Sequence, residues 1–416
     1  MVYAVLLIIF MDDVSGNVSK QWNKHHTIYM SNANLPCKML KKEFFVRFVT
    51  SSPHAAPMEL MRAMKESICV TAESGIVVWD CKDNQEVMLI PYVLFITGDN
   101  PMQAEECSHA GLNCNYYCRT CEVGGMKEYK ESKAGYNSIF NVCKSVSCFT
   151  IADFVFVQFE TAILSGVSEK VKNSMLSTGI HDTASASILN TLLELGKKLR
   201  KHIAGSPALP ENEVRIVLEK EFEQLLQGRR LDDAINPLLG MHAFNVHMDM
   251  PTEILHTVLL GIVKYFWGQT VFLLEKSRLL HLFQNRLETI NKDALNAPCL
   301  NADYICHYKG SLIGKHFKSL AQVMPFLIYD LVPPMVLNGW IVMGELIVLI
   351  WHTKIENSET YLVSPYIMYL LFLVIFLIGK LTRTIQDFLN VTAQCAPSIL
   401  ISKPKFHFLI HLPAYI

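Results

Sequence analysis

Three aspartates stand where two apolar runs end. Asp12-Asp13 closes a run that begins at Val2, and Asp99 closes a second run, Val87–Thr97, just past Gly98. Neighbouring buried strands that each deliver an acid at the C-terminal end can bring two carboxylates close enough to share divalent cations. Two Mg²⁺ (or Mn²⁺) ions about 4 Å apart would then activate a water or a 3′-hydroxyl and stabilise the leaving oxygen of a phosphoryl transfer. Such ions require oxygen ligands, and aspartate supplies them on a short, rigid stem. Aspartate also ends strands because it favours turns. The pattern alone leaves both readings open.

A second constellation is Cys118-Arg119-Thr120-Cys121. Two thiols three residues apart can reach one metal ion, and they equally make a redox or an incidental pair in a reduced protein. Cys107, His109, Cys114, Cys143 and Cys148 lie near enough in sequence to compete as ligands. The twelve cysteines are spread along the chain. The opening Met1–Met11 lacks a basic start and a small-residue cleavage site and runs straight into Asp12-Asp13. Reduced thiols are therefore expected rather than a disulfide frame.

The elements that would position these residues are readable from periodicity. Val2–Phe10 is continuously apolar, the signature of a central strand covered on both faces. His26–Met30 and Glu43–Thr50 read as the next strands, Pro57–Ile68 as a helix with Pro57 in its first turn, and Ile76–Trp79 and Val87–Thr97 as two further strands. Asn100–Gly111 reads as a helix. Phe154–Gln227 is predominantly helical, with Glu213–Gln227 a charged amphipathic helix; Leu231–Asp249 is a loop-rich link; Pro251–Trp267, Arg278–Ile290 and most of the remainder are helical. The predicted class is α/β, divided into 1–150, a mixed sheet with the cysteine knuckle, and 151–416, mainly helical. The chain has 416 residues, enough for two domains. With 37 basic and 38 acidic residues it lacks the basic excess of a free-standing DNA-binding module. Nucleic-acid contact would need a local patch such as Lys38, Lys41, Lys42 and Arg47, or Lys197–Lys201, and each reads first as a solvated face.

The string Asp12-Asp13-Val14-Ser15-Gly16-Asn17, followed by Ser19-Lys20-Gln21-Trp22-Asn23-Lys24-His25, resembles the start of the Plavaka-type transposases of mushroom-forming fungi. So do Gly98-Asp99-Asn100-Pro101-Met102-Gln103, the Cys118–Gly125 knuckle and Thr252-Glu253-Ile254-Leu255-His256. These enzymes belong to the CACTA group of DDE DNA transposases, and the likeness runs through nearly the whole chain. It implies an RNase-H-like core that cuts DNA at element ends and joins them to a target, in the nucleus, with a homo-oligomer as one option. Carried over by position, Asp12 is the first metal-binding carboxylate, with Asp13 as its alternative, and Asp99 is the second. Cys118 and Cys121, together with His407 and His411, would bind a structural Zn²⁺ that ties the helical insertion to the core.

The chain departs from that pattern in two places. The family's third acid falls downstream of the histidine pair, whereas this sequence stops at Ile416, so impaired catalysis is expected. Glu253 is the one substitute in view, and it reads first as a first-turn acid that suits the helix dipole. Tyr361–Gly379 carries no charged residue and is long enough to span a membrane, with Lys380 and Arg383 as interfacial anchors. Inside a transposase core, Val363–Gly379 reads instead as an insertion of the kind a retained short intron would encode. Leu331–Gly344, interrupted by Asn338 and followed by Glu345, reads as a buried core helix. The leading expectation is a transposon-derived, catalytically impaired protein. Its alternatives are a non-catalytic DNA- or zinc-binding relic and a single-pass membrane protein through 361–379.

Overall fold

The computed structural model describes residues 1–15, 24–164, 168–201, 208–291, 300–351 and 379–415. The apolar run at 361–379 therefore lies outside the described residues except at its last position. The chain divides into two compact units, 1–126 with 143–251, and 127–142 with 252–416.

The first unit is built on a mixed five-stranded sheet. Its strands are β1 (Val2–Ser15), β2 (Lys24–Asn32), β3 (Arg47–Ser52), β4 (Ile76–Asp80) and β5 (Gln85–Thr97), in the order β3-β2-β1-β5-β4. Only β1 and β5 run parallel; the other neighbours are antiparallel. Leu7, Ile9 and Met11 alternate onto one face of β1, where Ile28, Val93 and Ile96 join them from the adjoining strands. Helix α1 (Pro57–Ser74) covers that face with Met58, Met61 and Met64 at helical spacing. Pro57 opens α1, and the Glu59 carboxylate accepts the Ala56 N–H at 2.8 Å. Gly75 ends it at φ +67°, where a side chain would be strained and its Cβ would stand 2.7 Å from Met88.

The continuous apolar run of β1 predicts burial on both faces, and the structure departs from this. On the opposite face Phe10, Phe48, Val77, Trp79 and Tyr92 remain exposed. Two boundaries also differ from the sequence reading. Glu43–Phe45 forms a 3₁₀ turn ahead of β3, and the helix after Asp99, α2 (Asn100–Glu106), stops well short of Gly111. Further along, α3 (Cys148–Ile163), α4 (Ala186–Leu199) and α5 (Glu211–Leu226) bury Val155, Phe159, Leu189, Leu192, Val214 and Leu218 in a second core of this unit.

The second unit is helical. A π-helical stretch, Leu255–Val263, runs into α6 (Lys264–Lys276), followed by α7 (Gly314–Ile328), α8 (Pro334–Ile350) and α9 (Lys380–Cys395). Trp267, Trp340, Phe388 and Phe406 fill its core, with Phe388 stacked on Phe406 at 6.1 Å and tilted against Phe266 at 5.4 Å. The Trp340 indole N–H donates to Thr270 Oγ1 at 2.8 Å, so this buried ring has a partner for its polar atom. The predicted core helix at Leu331–Gly344 is found as α8, with Trp340, Met343, Leu346 and Ile347 buried. Among the described residues, Leu255–Lys276 is the one helix long and apolar enough to cross a membrane. Most of it is buried within the protein, as in a core helix.

Candidate metal centre and acidic strand ends

The parallel pairing of β1 with β5 runs as far as Phe10 opposite Thr97. Continuing that register by two residues sets Asp12 against Asp99. A Cβ placed on Gly98 would lie 3.0 Å from the Met11 carbonyl oxygen, so the two backbones are still in close approach one residue before the acids. Only glycine admits that approach without a shift. β1 then continues along β2 alone, pairing Asp12 with Thr27 and Asp13 with His26. By strand alternation Asp12 shares the face of Phe10, and Asp13 shares the face of Met11. Asp12 Oδ1 accepts the Asp13 N–H at 2.7 Å. Asp99 caps α2, its Oδ1 accepting the Met102 N–H at 2.8 Å. Both aspartates are half-buried, and the Asp99 cap is the turn-forming role that the residue type also predicts.

Sequence reasoning missed Glu106, on the last turn of α2. It is fully buried, and neither of its carboxylate oxygens has a hydrogen-bond partner among the described residues. Burial pushes its carboxyl well above the usual range; the Arg119 charge pulls it back, while Glu105, Asp99 and Asp12 push it further up. Gln103, one turn earlier, is equally buried and donates to the Pro251 carbonyl at 2.8 Å. The signal was present in the i, i+3 spacing of these two polar residues beside Met102 and Ala104.

The cysteine knuckle is shaped by its backbone. Cys121 bridges to Ser145, and the Glu122 N–H donates to the Lys144 carbonyl at 2.9 Å. Gly124 and Gly125 follow at φ +138° and +115°, and a Cβ on Gly124 would stand 2.3 Å from the Asn115 carbonyl. A turn this tight requires glycine there. Cys118 and Cys121 are buried at 2% and 0% exposure, which removes both sulfurs from solvent. The Cys118 sulfur accepts the Thr120 N–H at 3.4 Å. Hydrogen bonding to Cys118, and then burial, raises the Cys121 thiol far above its ordinary range. Such a pair keeps its protons unless a cation displaces them.

The rival ligands find local partners. His109 Nε2 lies 2.8 Å from the Tyr116 carbonyl, and its Nδ1 accepts the Gly111 N–H at 3.0 Å. Cys114 donates to the same Tyr116 carbonyl at 2.8 Å, and Cys107 to the Val246 carbonyl at 3.1 Å. Cys143 stays beside the knuckle, its thiol raised by burial and by the Cys118 charge. The Cys148 side chain lies outside the described residues.

His407 and His411 occupy successive turns at the end of the chain and are both buried. His407 Nδ1 sits 2.9 Å from the Ile139 carbonyl, which can only accept, so this nitrogen carries the proton. That tautomer makes Nε2 the accepting nitrogen, the atom that could bind a metal, and a carbonyl behind the ring is the usual way of orienting a metal-binding imidazole. His407 Nε2 points at His411 Nε2, 3.3 Å away, with the rings nearly perpendicular. The ligand atoms of Cys118, Cys121, His407 and His411 all lie within 4.8 Å of one another. This is a buried Cys₂His₂ group that could bind a metal ion such as zinc. Tetrahedral zinc with bonds of about 2.0–2.3 Å needs four ligand atoms within that span, and four soft-to-borderline donors shielded from water suit it chemically.

Glu253, considered above as a substitute acid, is committed elsewhere. Its two carboxylate oxygens accept the Leu255 and His256 N–H groups, each at 2.6 Å, capping the π-helical stretch. No protein-family model matches the chain, and no curated protein matches it.

Proposed function

We propose that this protein is a transposase-like DNA-processing protein of the DDE type. Asp12 and Asp99 would hold Mg²⁺ or Mn²⁺ at the tips of an RNase-H-like sheet, and Cys118, Cys121, His407 and His411 would hold a structural Zn²⁺. The observation that carries this reading is the parallel register of β1 and β5, which runs toward Asp12 on β1 and toward Asp99, two residues past the end of β5. The Cys₂His₂ group supports it independently, because the resemblance to Plavaka-type transposases expects that ligand set. When bound, the divalent cations would polarise a scissile phosphate and lower the pKa of an attacking water or hydroxyl. The chain's own part is to present two hard oxygen ligands, one on β1 and one at the cap between β5 and α2. Among the described residues the proposed acidic site is formed by Asp12 and Asp99, while Glu253 caps its own helix.

The test is nicking of a supercoiled plasmid that carries the sequences flanking the gene, in Mg²⁺ and in Mn²⁺. Weak nicking that vanishes in Asp99→Ala, with zinc content unchanged, is the expected result. DNA retention in a mobility shift without nicking under either ion would replace the enzyme with the binding relic. Neither binding nor nicking would end the DNA-processing reading.

A further inference from the structure

The segment from Asn236 to Pro251 grips the region around Asp99 at four points. Asn236 Nδ2 donates to the Glu106 carbonyl at 2.7 Å, and Cys107 Sγ donates to the Val246 carbonyl at 3.1 Å. Gln103 Nε2 donates to the Pro251 carbonyl at 2.8 Å, and the Ile96 N–H to the Asp249 carbonyl at 3.2 Å. Three of these partners lie on α2 or just past it, and the fourth lies on β5 three residues before Asp99. The tip of the segment is a tight turn in which the Asp249 carboxylate accepts the Asn245 N–H at 2.7 Å and Asn245 Oδ1 accepts the His247 N–H at 2.9 Å.

From that turn His247 reaches into the cysteine knuckle. Its Nδ1 lies 2.7 Å from the carbonyl of Arg119, the residue following Cys118, so Nδ1–H is the donor. The ring is 1% exposed, which makes this contact unreplaceable by water. Burial holds the imidazole neutral, lowering its pKa to about 4 despite the carbonyl contact.

We infer that His247 is a positioning residue, the joint of a brace through which the metal-loaded knuckle fixes β5, α2 and therefore Asp99. The inference rests on the zinc and acidic-site reading above. Holding the knuckle closed holds the Arg119 carbonyl in place; that carbonyl holds His247, and the turn behind it holds both sides of Asp99.

The experiment compares the full-length wild type with His247→Phe, which keeps a ring but loses the donor, and His247→Asn, whose amide N–H can stand where Nδ1–H does. Amide hydrogen exchange over residues 96–107, bound zinc, and the Mn²⁺ dependence of nicking are measured on each. In His247→Phe the exchange should quicken about tenfold, the equivalent of one buried hydrogen bond, with bound zinc retained, and the Mn²⁺ requirement should rise. His247→Asn should restore both. Cys121→Ser should quicken the same amides, and adding His247→Phe to it should change little further. Wild-type protection of 96–107 in His247→Phe overturns the inference, as does failure of Cys121→Ser to affect those amides. If His247→Phe does not fold, unrestored exchange in a folded His247→Asn overturns it equally. If the wild type does not nick, the nuclease reading falls, while exchange and zinc content still decide the coupling.

Discussion

At Glu106 the chain keeps a carboxyl wholly out of water, under the influence of Glu105, Asp99 and Asp12. Its proton is held more tightly folded than unfolded, where a glutamate titrates near 4.5. Above that pH the unfolded chain releases the proton and the folded chain retains it, so the native state binds more protons and stability falls as pH rises. Glu106→Gln, which cannot ionise, should flatten this dependence. Urea unfolding between about pH 5 and 8 should show wild-type stability declining and the variant's declining less, so that the variant gains most at the alkaline end. Equal slopes would mean that the Arg119 charge offsets the burial completely. The candidate site was partly legible at this scale. Asp99 and the CxxC spacing announce themselves because their chemistry is tied to local spacing. Glu106 and His247 do not, because their roles come from what burial places beside them, and the partner of His247, Arg119, lies 128 positions away in sequence.

At the scale of elements, β1 and β5 were readable as apolar runs, α1 from its helical spacing, and α8 as an apolar stretch marked by Asn338 and Glu345. The π-helical turn at Leu255–Val263 was not, because its residues are equally compatible with an α-helix and Glu253 fixes its start through two backbone donors. The second face of the sheet also escaped prediction: Leu6, Ile8 and Phe10 supply the apolar content of a covered strand, yet Phe10 and Phe48 are left in solvent. Within the helical unit, the Phe266, Phe388 and Phe406 rings form one contact group. Phe388→Ala should open a cavity there and cost about 3–5 kcal/mol, read as a lower denaturation midpoint with an unchanged slope. A loss under about 1 kcal/mol would show that the neighbouring rings collapse into the space.

For the molecule as a whole, the prediction concerns metal content. Purified without chelator, the protein should carry about one zinc per chain by mass spectrometry of the metal. Cys121→Ser or His411→Ala should lower that affinity at least about tenfold, and chelation should lower the melting temperature of the wild type more than that of either variant. Zinc retained in both variants would send the search for ligands to Cys143 or beyond. Compactness at this scale was the least legible property. Residues 127–142 join the helical unit although they follow the knuckle directly, and 143–251 return to the sheet's unit. Contacts of that range leave no periodic trace in the sequence.

The parallel seam between β1 and β5 also bears on synthesis. The apolar strand β1 leaves the ribosome long before its inner neighbour exists, since β5 ends only at Thr97. Until then β1 has just the antiparallel partner β2, and closing the intervening loop costs entropy before any parallel pairing is formed. A nascent chain arrested before residue 85 should therefore be bound by a ribosome-associated chaperone, and release should coincide with the emergence of β5.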